Sequence, residues 1–293
     1  MSAVSSGVHP RLIQARSISR VVWEHLGALP QFVSLLGCFE RSIDLLAGEE
    51  VIALVTPQID NGPFYIVVDR LPDKPLPEQI KADWYGQVLS LGEWTIDFSL
   101  PPPVWEPRVN WEEVALSRQS LACLRKLVQE DAKRRGCHSL FSAVVLGSVP
   151  PLAEELGKAL SALDIDGVSF CAARIAGLGM GLTPAGDDFL AGVMLALQAY
   201  AALPAEQKRM LLQAVYTAAE NRSTRLSRAY LKAAYEGMAD AHWHRLLYSL
   251  TDGRETVLCK TVAEVLHFGE TSGLDMANGF VWVFDVFEIP QPV

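Results

Sequence analysis

Three consecutive prolines, Pro101, Pro102 and Pro103, cut this chain into two stretches with different periodicities. Proline has no N–H to give a ladder and keeps its predecessor out of the helical region, so neither a strand nor a helix runs through such a triplet. Before it, from about Ser42 to Leu100, the apolar runs are of strand length and rich in β-branched and aromatic residues. SIDLL and VIALVT around AGEE read as a hairpin. PFYIVVD follows the turn Asp60-Asn61-Gly62-Pro63, and WYGQVLSL meets EWTIDFSL across Gly92. After the prolines the pattern is helical. The first predicted helix is NWEEVALSRQSLACLRKLVQEDAKRRG, with Asn110 as cap, bases in the last turn and Gly136 to end it. Further helices are predicted over 150–163, 185–202, 205–220, 223–236, 240–250, 255–267 and 273–287. The expected class is α+β: a small β-rich N-terminal domain, residues 1–108, then a larger α-helical domain, residues 109–293. The strand–helix alternation of a doubly wound sheet is missing.

Composition narrows the partners. Of 293 residues half are apolar, the net charge is −9 and no run of five or six like charges occurs. That balance argues against a nucleic-acid or anionic-membrane footprint. No segment reaches the roughly 18 apolar residues of a membrane helix, and the N-terminus carries no signal-peptide apolar run. Cys38, Cys123, Cys137, Cys171 and Cys259 are scattered and never spaced as CxxC, against a disulfide framework or a structural zinc site. A soluble protein of a bacterial cytoplasm is the expectation. Trp84, Trp94, Trp105 and Trp111 are expected in core or interface.

Three polar clusters interrupt the helical half. The first, GLGMGLTPAGDD, spans Gly177 to Asp188 and contains four glycines. Thr183 as N-cap, Pro184 at the first helical position and Asp187 and Asp188 against the helix dipole would explain every polar residue in it. The density of glycine exceeds what a helix start needs, and a glycine loop leading into a helix N-terminus is suited to an anion. The second, NRSTRLSRAYL, has Ser223 or Thr224 as a cap. It places Arg225 and Arg228 on one face, where they are either a solvated basic surface or an anion clamp. Thr224, Ser227 and Tyr230 add hydroxyls there. The third, GETSGLDMANGF, has the S-x-x-D spacing of a capping box in Ser272 and Asp275, with Asn278 one turn further along.

The first and third clusters share a grammar: a glycine-bearing loop, a hydroxyl residue, an acid in the first turn, then an apolar helix. Facing one pocket, they would present backbone donors and the carboxylates of Asp187, Asp188 and Asp275. Such a set suits a small anionic substrate with Mg²⁺, which takes one or two carboxylates and keeps water or phosphate on its other sites. Competing chemistries find no support. GLGMG is not a complete GxGxxG and no P-loop lysine follows. HExxH and GxSxG are both missing.

At these clusters the chain resembles a known family. GLGMGLTPAGDDFLAG is followed by Thr224, Ser227, Leu231, Ala234 and Gly237 in the spacing T-x-x-S-x-x-x-L-x-x-A-x-x-G, and then by GETSGLDMANGF. These motifs are similar to those of the AllH-like family, a bacterial family that includes a subunit of the anaerobic oxamate carbamoyltransferase. The resemblance implies a place in a three-component system of allantoin (purine) breakdown. That system converts oxalurate and phosphate into oxamate and carbamoyl phosphate. Its other subunits are an acyl-CoA-synthetase-like protein and a second protein of a formerly uncharacterised family. It further implies a site built from Gly179, Gly181, Thr183, Asp187, Asp188, Thr271, Ser272, Gly273 and Asp275, joined here by Thr224 and Ser227. Three functions follow from the residues and the resemblance together. One is a carbamoyltransferase-type subunit binding phosphate, carbamoyl phosphate or a small carboxylate, and another is a non-catalytic scaffold. The third is a free-standing metal-dependent hydrolase of a phosphorylated or amide substrate.

Overall fold

The structure is a computed structural model that describes residues 11–287, apart from residue 30, residues 73–75, residues 84–86 and residue 137. Trp84 and Cys137 therefore lie outside the described residues. The chain divides into two compact units between Pro107 and Arg108.

Among the described residues the first unit is a ten-stranded sheet with a short α-helix that runs on into a 3-10 turn, Leu26–Ala28. Its strands are β1 (Arg11–Ile13), β2 (Ala15–Ser19), β3 (Phe32–Cys38), β4 (Ser42–Ala47) and β5 (Glu50–Val55), then β6 (Tyr65–Val68), β7 (Gln79–Asp83), β8 (Val88–Leu91), β9 (Trp94–Asp97) and β10 (Val104–Trp105), with helix α1 (Arg20–His25) after β2. The order across the sheet is β1-β9-β8-β7-β3-β4-β5-β6-β2-β10. β1 and β2 form one extended segment separated only by Gln14. β1 pairs with β9 and β2 with β6, so this segment meets both flanks and curls the sheet into a half-barrel. The expected hairpins are present: β4 with β5, and β8 with β9 across Gly92 in the left-handed region. The strands β1–β3 precede Ser42, where the strand pattern first becomes legible. Their exposed polar positions and the Gly37 interruption weaken the period-2 signal. β10 begins straight after the proline triplet, on the sheet edge where a proline-led strand is tolerated. Trp94 is buried beneath the guanidinium groups of Arg11 and Arg70.

The second unit is helical: α2 (Arg118–Arg135), α3 (Pro151–Ser161), α4 (Ile165–Ile175), α5 (Ala185–Ala199), α6 (Ala205–Ala219), α7 (Arg225–Tyr235), α8 (Ala241–Asp252), α9 (Glu255–Leu266) and α10 (Ser272–Val286). The architecture is thus α+β. The first helix begins eight residues after Asn110. Ser117 and Ser120 form a capping box that satisfies two helix-start donors at once, while Val109 and Trp111 are held by the carbonyl of Gly237. VSFCAARIA, ambiguous in the sequence, lies mostly in α4, which is capped by Asp164. Cys38, Cys123, Cys171 and Cys259 are free thiols. No helix among the described residues is long and apolar enough to cross a membrane.

α5 and α10 form the centre. Both are buried nearly all round, which fits their apolar composition on every face. They cross in contact at glycine. A Cβ on Gly192 would lie 1.9 Å from the carbonyl oxygen of Met276, and one on Gly279 would lie 2.1 Å from that of Phe189. Gly279 and Met276 stand 87 positions after Gly192 and Phe189, so the contact is reciprocal, as at a twofold axis. At the helix starts the glycines keep that offset, while their carbonyl partners are 90 positions apart. Gly186 packs on the carbonyl of Ile175 and Gly273 on that of Val265. The Gly186 N–H donates to Leu178 O and the Gly273 N–H to Phe268 O. The segments α4–α5 and α9–α10 are therefore an internal structural repeat, and their shared grammar is a shared geometry.

Candidate functional site

The twofold arrangement brings the two helix starts face to face. Thr183 Oγ1 and Ser272 Oγ are 2.9 Å apart across the junction. Asp188 and Asp275, equivalent in the repeat, are 5% and 0% exposed, and the charge of Asp275 acts on Asp188. Burial pushes the Asp188 carboxyl well above the ordinary carboxylate range. The charges of Asp275 and Asp187 push the same way, and hydrogen bonds from Ser272 and Thr183 oppose them. Burial likewise raises Asp275 to about 6, against hydrogen bonds from Ser139 and Thr271. One oxygen of each carboxylate, Oδ2 of Asp188 and of Asp275, is buried with no hydrogen-bond partner among the described residues. Natural structures seldom leave such acceptors unmet.

The capping roles read from the sequence are not the ones adopted. Pro184, not Thr183, occupies the cap position of α5, with no side-chain cap. Thr271, not Ser272, occupies it in α10, again without a side-chain cap. Thr183 and Ser272 are released from capping because each turns its hydroxyl towards the opposite helix start and Asp188. Gly273 is the second residue of α10, where its missing side chain admits Val265 O.

Asp187 plays a different part. Its Oδ1 accepts from the Gly177 N–H at 2.8 Å and from Ser223 Oγ at 2.8 Å, fastening the glycine loop to the start of α7. Thr224 caps α7 by accepting from Ser227 N–H, and it also donates to Leu182 O. Ser227 Oγ donates to the same carbonyl at 3.3 Å. Thr224 and Ser227 thus hold the loop from outside. Gly179 and Gly181, at φ +117 and +97, turn the loop as no other residue does without strain. The N–H groups of residues 179–183 make no backbone hydrogen bond among the described residues. The α5 donors of Gly186, Asp187 and Asp188 are spent on Leu178 O and Pro184 O. The free donors are therefore in the loop rather than in the helix end.

Arg225 is exposed, as on a solvated basic face, and Arg228 Nε donates to Glu220 O at 2.7 Å. Among the described residues no group of three or more His, Cys, Asp or Glu is placed to hold a metal ion. Asp187 is committed to the loop, and its neighbour Asp188 points about 100° away around the helix. Asn278, buried, serves structure by accepting from Val145 N–H and donating to Leu274 O. A groove of about 650 Å³ between α3 and the end of α10 is lined by Gly157, Lys158 and Trp282 and includes none of the acids.

Sequence reasoning missed Ser139, whose hydroxyl donates a hydrogen bond to Asp275 Oδ1, and Arg135. Arg135 donates to the carbonyls of Leu266 at 2.7 Å and Glu270 at 3.1 Å, and so fixes the loop before Ser272. The available signal for Ser139 was SLFS, where Ser139 and Ser142 close a reciprocal turn. For Arg135 there was none, since bases in a last helical turn are ordinary.

Fold and geometry together define an α+β protein whose helical unit buries a pair of carboxylic acids between two facing helix starts. The family model described as oxamate carbamoyltransferase subunit AllH matches residues 175–284, a span that carries all three motifs. The resemblance read from those motifs is borne out by that match. No solved structure matches the chain.

Proposed function

We propose that this chain is a carbamoyltransferase-type subunit that holds a small substrate bearing an anionic end and an N–H end at the junction of α5 and α10. The observation that carries the reading is the facing pair of helix starts, bridged by Thr183 and Ser272, with three buried carboxyl oxygens, of Asp187, Asp188 and Asp275, lacking a donor among the described residues. The glycine loop supplies consecutive free N–H groups for a phosphate or carboxylate. The carboxyls of Asp188 and Asp275 supply acceptors for an amide or carbamoyl N–H. Burial, the largest cause, disfavours the charged form of Asp188 and so lessens its repulsion of the anion. Carbamoyl phosphate has both ends in one molecule. The description of the matched family, a subunit of a carbamoyltransferase, agrees with this chemistry, and a hetero-oligomer of the cytoplasm is part of the proposal.

Calorimetric titration of the protein with carbamoyl phosphate tests it. Binding is expected, and the Asp187→Asn/Asp188→Asn double variant should lose it while keeping its helical circular dichroism. Equal affinity in that variant would remove the acids from the site. A scaffold reading finds its support in Met180, which stands 94% exposed at the tip of the glycine loop, as a residue seated in a partner would. Capture of neighbouring gene products without any binding of carbamoyl phosphate would favour it.

A further inference from the structure

Asp275 is fully buried, and two half-buried residues, Ser139 and Thr271, hydrogen-bond to its carboxyl, Ser139 through Oδ1. Ser139 has what an activated alcohol needs. Its proton already lies on the hydrogen bond to Asp275 Oδ1. Its oxygen accepts the Ser142 N–H at 3.1 Å, a donor that would stabilise developing negative charge. The reciprocal bond from Ser139 N–H to Ser142 Oγ, also 3.1 Å, fixes the turn that holds it. Asp275 Oδ2 has no partner among the described residues, so only Oδ1 is engaged by Ser139. The N–H groups of Ser272 and Leu274 at the start of α10 make no backbone hydrogen bond among the described residues and are candidates for an oxyanion. The other hydroxyls of the site are differently placed. Those of Thr183 and Ser272 are bound to each other and to Asp188, and Thr271, which also hydrogen-bonds Asp275, is the cap residue of α10 itself, whereas Ser139 reaches Asp275 from a segment outside the internal repeat.

We propose that Ser139 is a covalent nucleophile for the carbamoyl group, with Asp275 as its general base. This rests on the binding of carbamoyl phosphate proposed above. Ser139 Oγ bonds to the carbamoyl carbon as its proton passes to Asp275 Oδ1. The carbon–oxygen bond to phosphate breaks, and the phosphate leaves with the bonding pair. The carbamate ester on Ser139 is discharged when an acceptor nitrogen attacks the same carbon. The electron pair returns to Ser139 Oγ, which recovers its proton from Asp275, and the surplus proton of the nitrogen goes to solvent. A carboxylate raised to about 6 by burial is suitably basic for this work near neutral pH.

The test is acid quenching of the full chain after mixing with carbamoyl phosphate, followed by peptide mass analysis, beside calorimetric binding of the same ligand. One carbamoyl group is expected on the peptide containing Ser139. It should be missing in Ser139→Ala, which still binds, and retained in Ser139→Cys, which keeps a nucleophile. Asp275→Asn should form it on the order of 100-fold more slowly. Cyanate serves as the control for uncatalysed carbamoylation, and equal labelling of Ser139 by cyanate in the wild type and in Asp275→Asn would count against base catalysis. Binding by the wild type without any adduct overturns the nucleophile and leaves the binding site standing. A wild type that binds no carbamoyl phosphate overturns the site itself, and the nucleophile with it.

Discussion

Asp275 shows how a single residue carries both cost and chemistry. Its carboxyl is raised from 3.8 to about 6 by burial, so the folded chain holds that proton more tightly than the unfolded one. The associated stability is fully present below pH 3.8 and is lost as pH rises through about 6. At about 1.4 kcal/mol for each tenfold change in proton affinity, the loss amounts to about 3 kcal/mol. Asp275→Asn, neutral at every pH, should therefore raise the unfolding free energy measured in urea at pH 8 by up to that amount. The gain should vanish towards pH 4. A gain independent of pH would mean that the ionised carboxylate is not the cause. Thr183→Val removes the hydroxyl that meets Ser272 at 2.9 Å and should cost about 1 kcal/mol in urea unfolding, with binding weakened through Asp188. Thr183, Asp188, Ser272 and Asp275 were all legible in the sequence, because an acid beside a glycine-bearing helix start is locally visible. Local rules assign the hydroxyls to capping, since they cannot see a partner 89 positions away.

At the level of elements, the crossing of α5 on α10 depends on having no side chain at two points. Gly192→Ala would set a methyl 1.9 Å from Met276 O, on backbone that cannot swing aside. The helix-propensity gain of about 1 kcal/mol is far too small to offset moving two buried helices apart. This variant is expected to lower the melting temperature by more than about 10 °C, at several kcal/mol of overpacking, or to yield no folded protein. Gly181→Ala is the contrast: nothing lies within 4 Å of the added carbon, and the only cost is the positive φ of +97. It should lose about 1 kcal/mol, with the change in binding confined to the loop. Equal destabilisation by the two variants would contradict the crossing. The helices themselves were legible, since α6 to α9 begin and end within two residues of their predicted limits. α2 starts later than its sequence suggests because two cap signals compete, and tertiary contact with Gly237 decides in favour of Ser117. The early strands were not legible because their pairing partners, not their own period, make them strands.

For the molecule as a whole, the helical unit contains its own apolar core and every residue of the proposed site. Residues 108–293 expressed alone should therefore fold with a cooperative thermal transition. They should bind carbamoyl phosphate as the full chain does, within about threefold, a margin of less than 1 kcal/mol. Loss of binding by a well-folded fragment would place part of the site in the N-terminal unit. The α+β class, the turn to helix after Pro103 and the two glycine-bearing starts with their acids are written into the local sequence, because propensity, capping and short motifs act over a few residues. Tertiary packing supplied the rest: these starts are halves of one twofold junction, Asp187 ties down a loop, and Asp188 and Asp275 lie buried at that junction with Ser139 against the second. Those outcomes depend on burial and on contacts between residues 36 to 136 positions apart, and no local pattern specifies either.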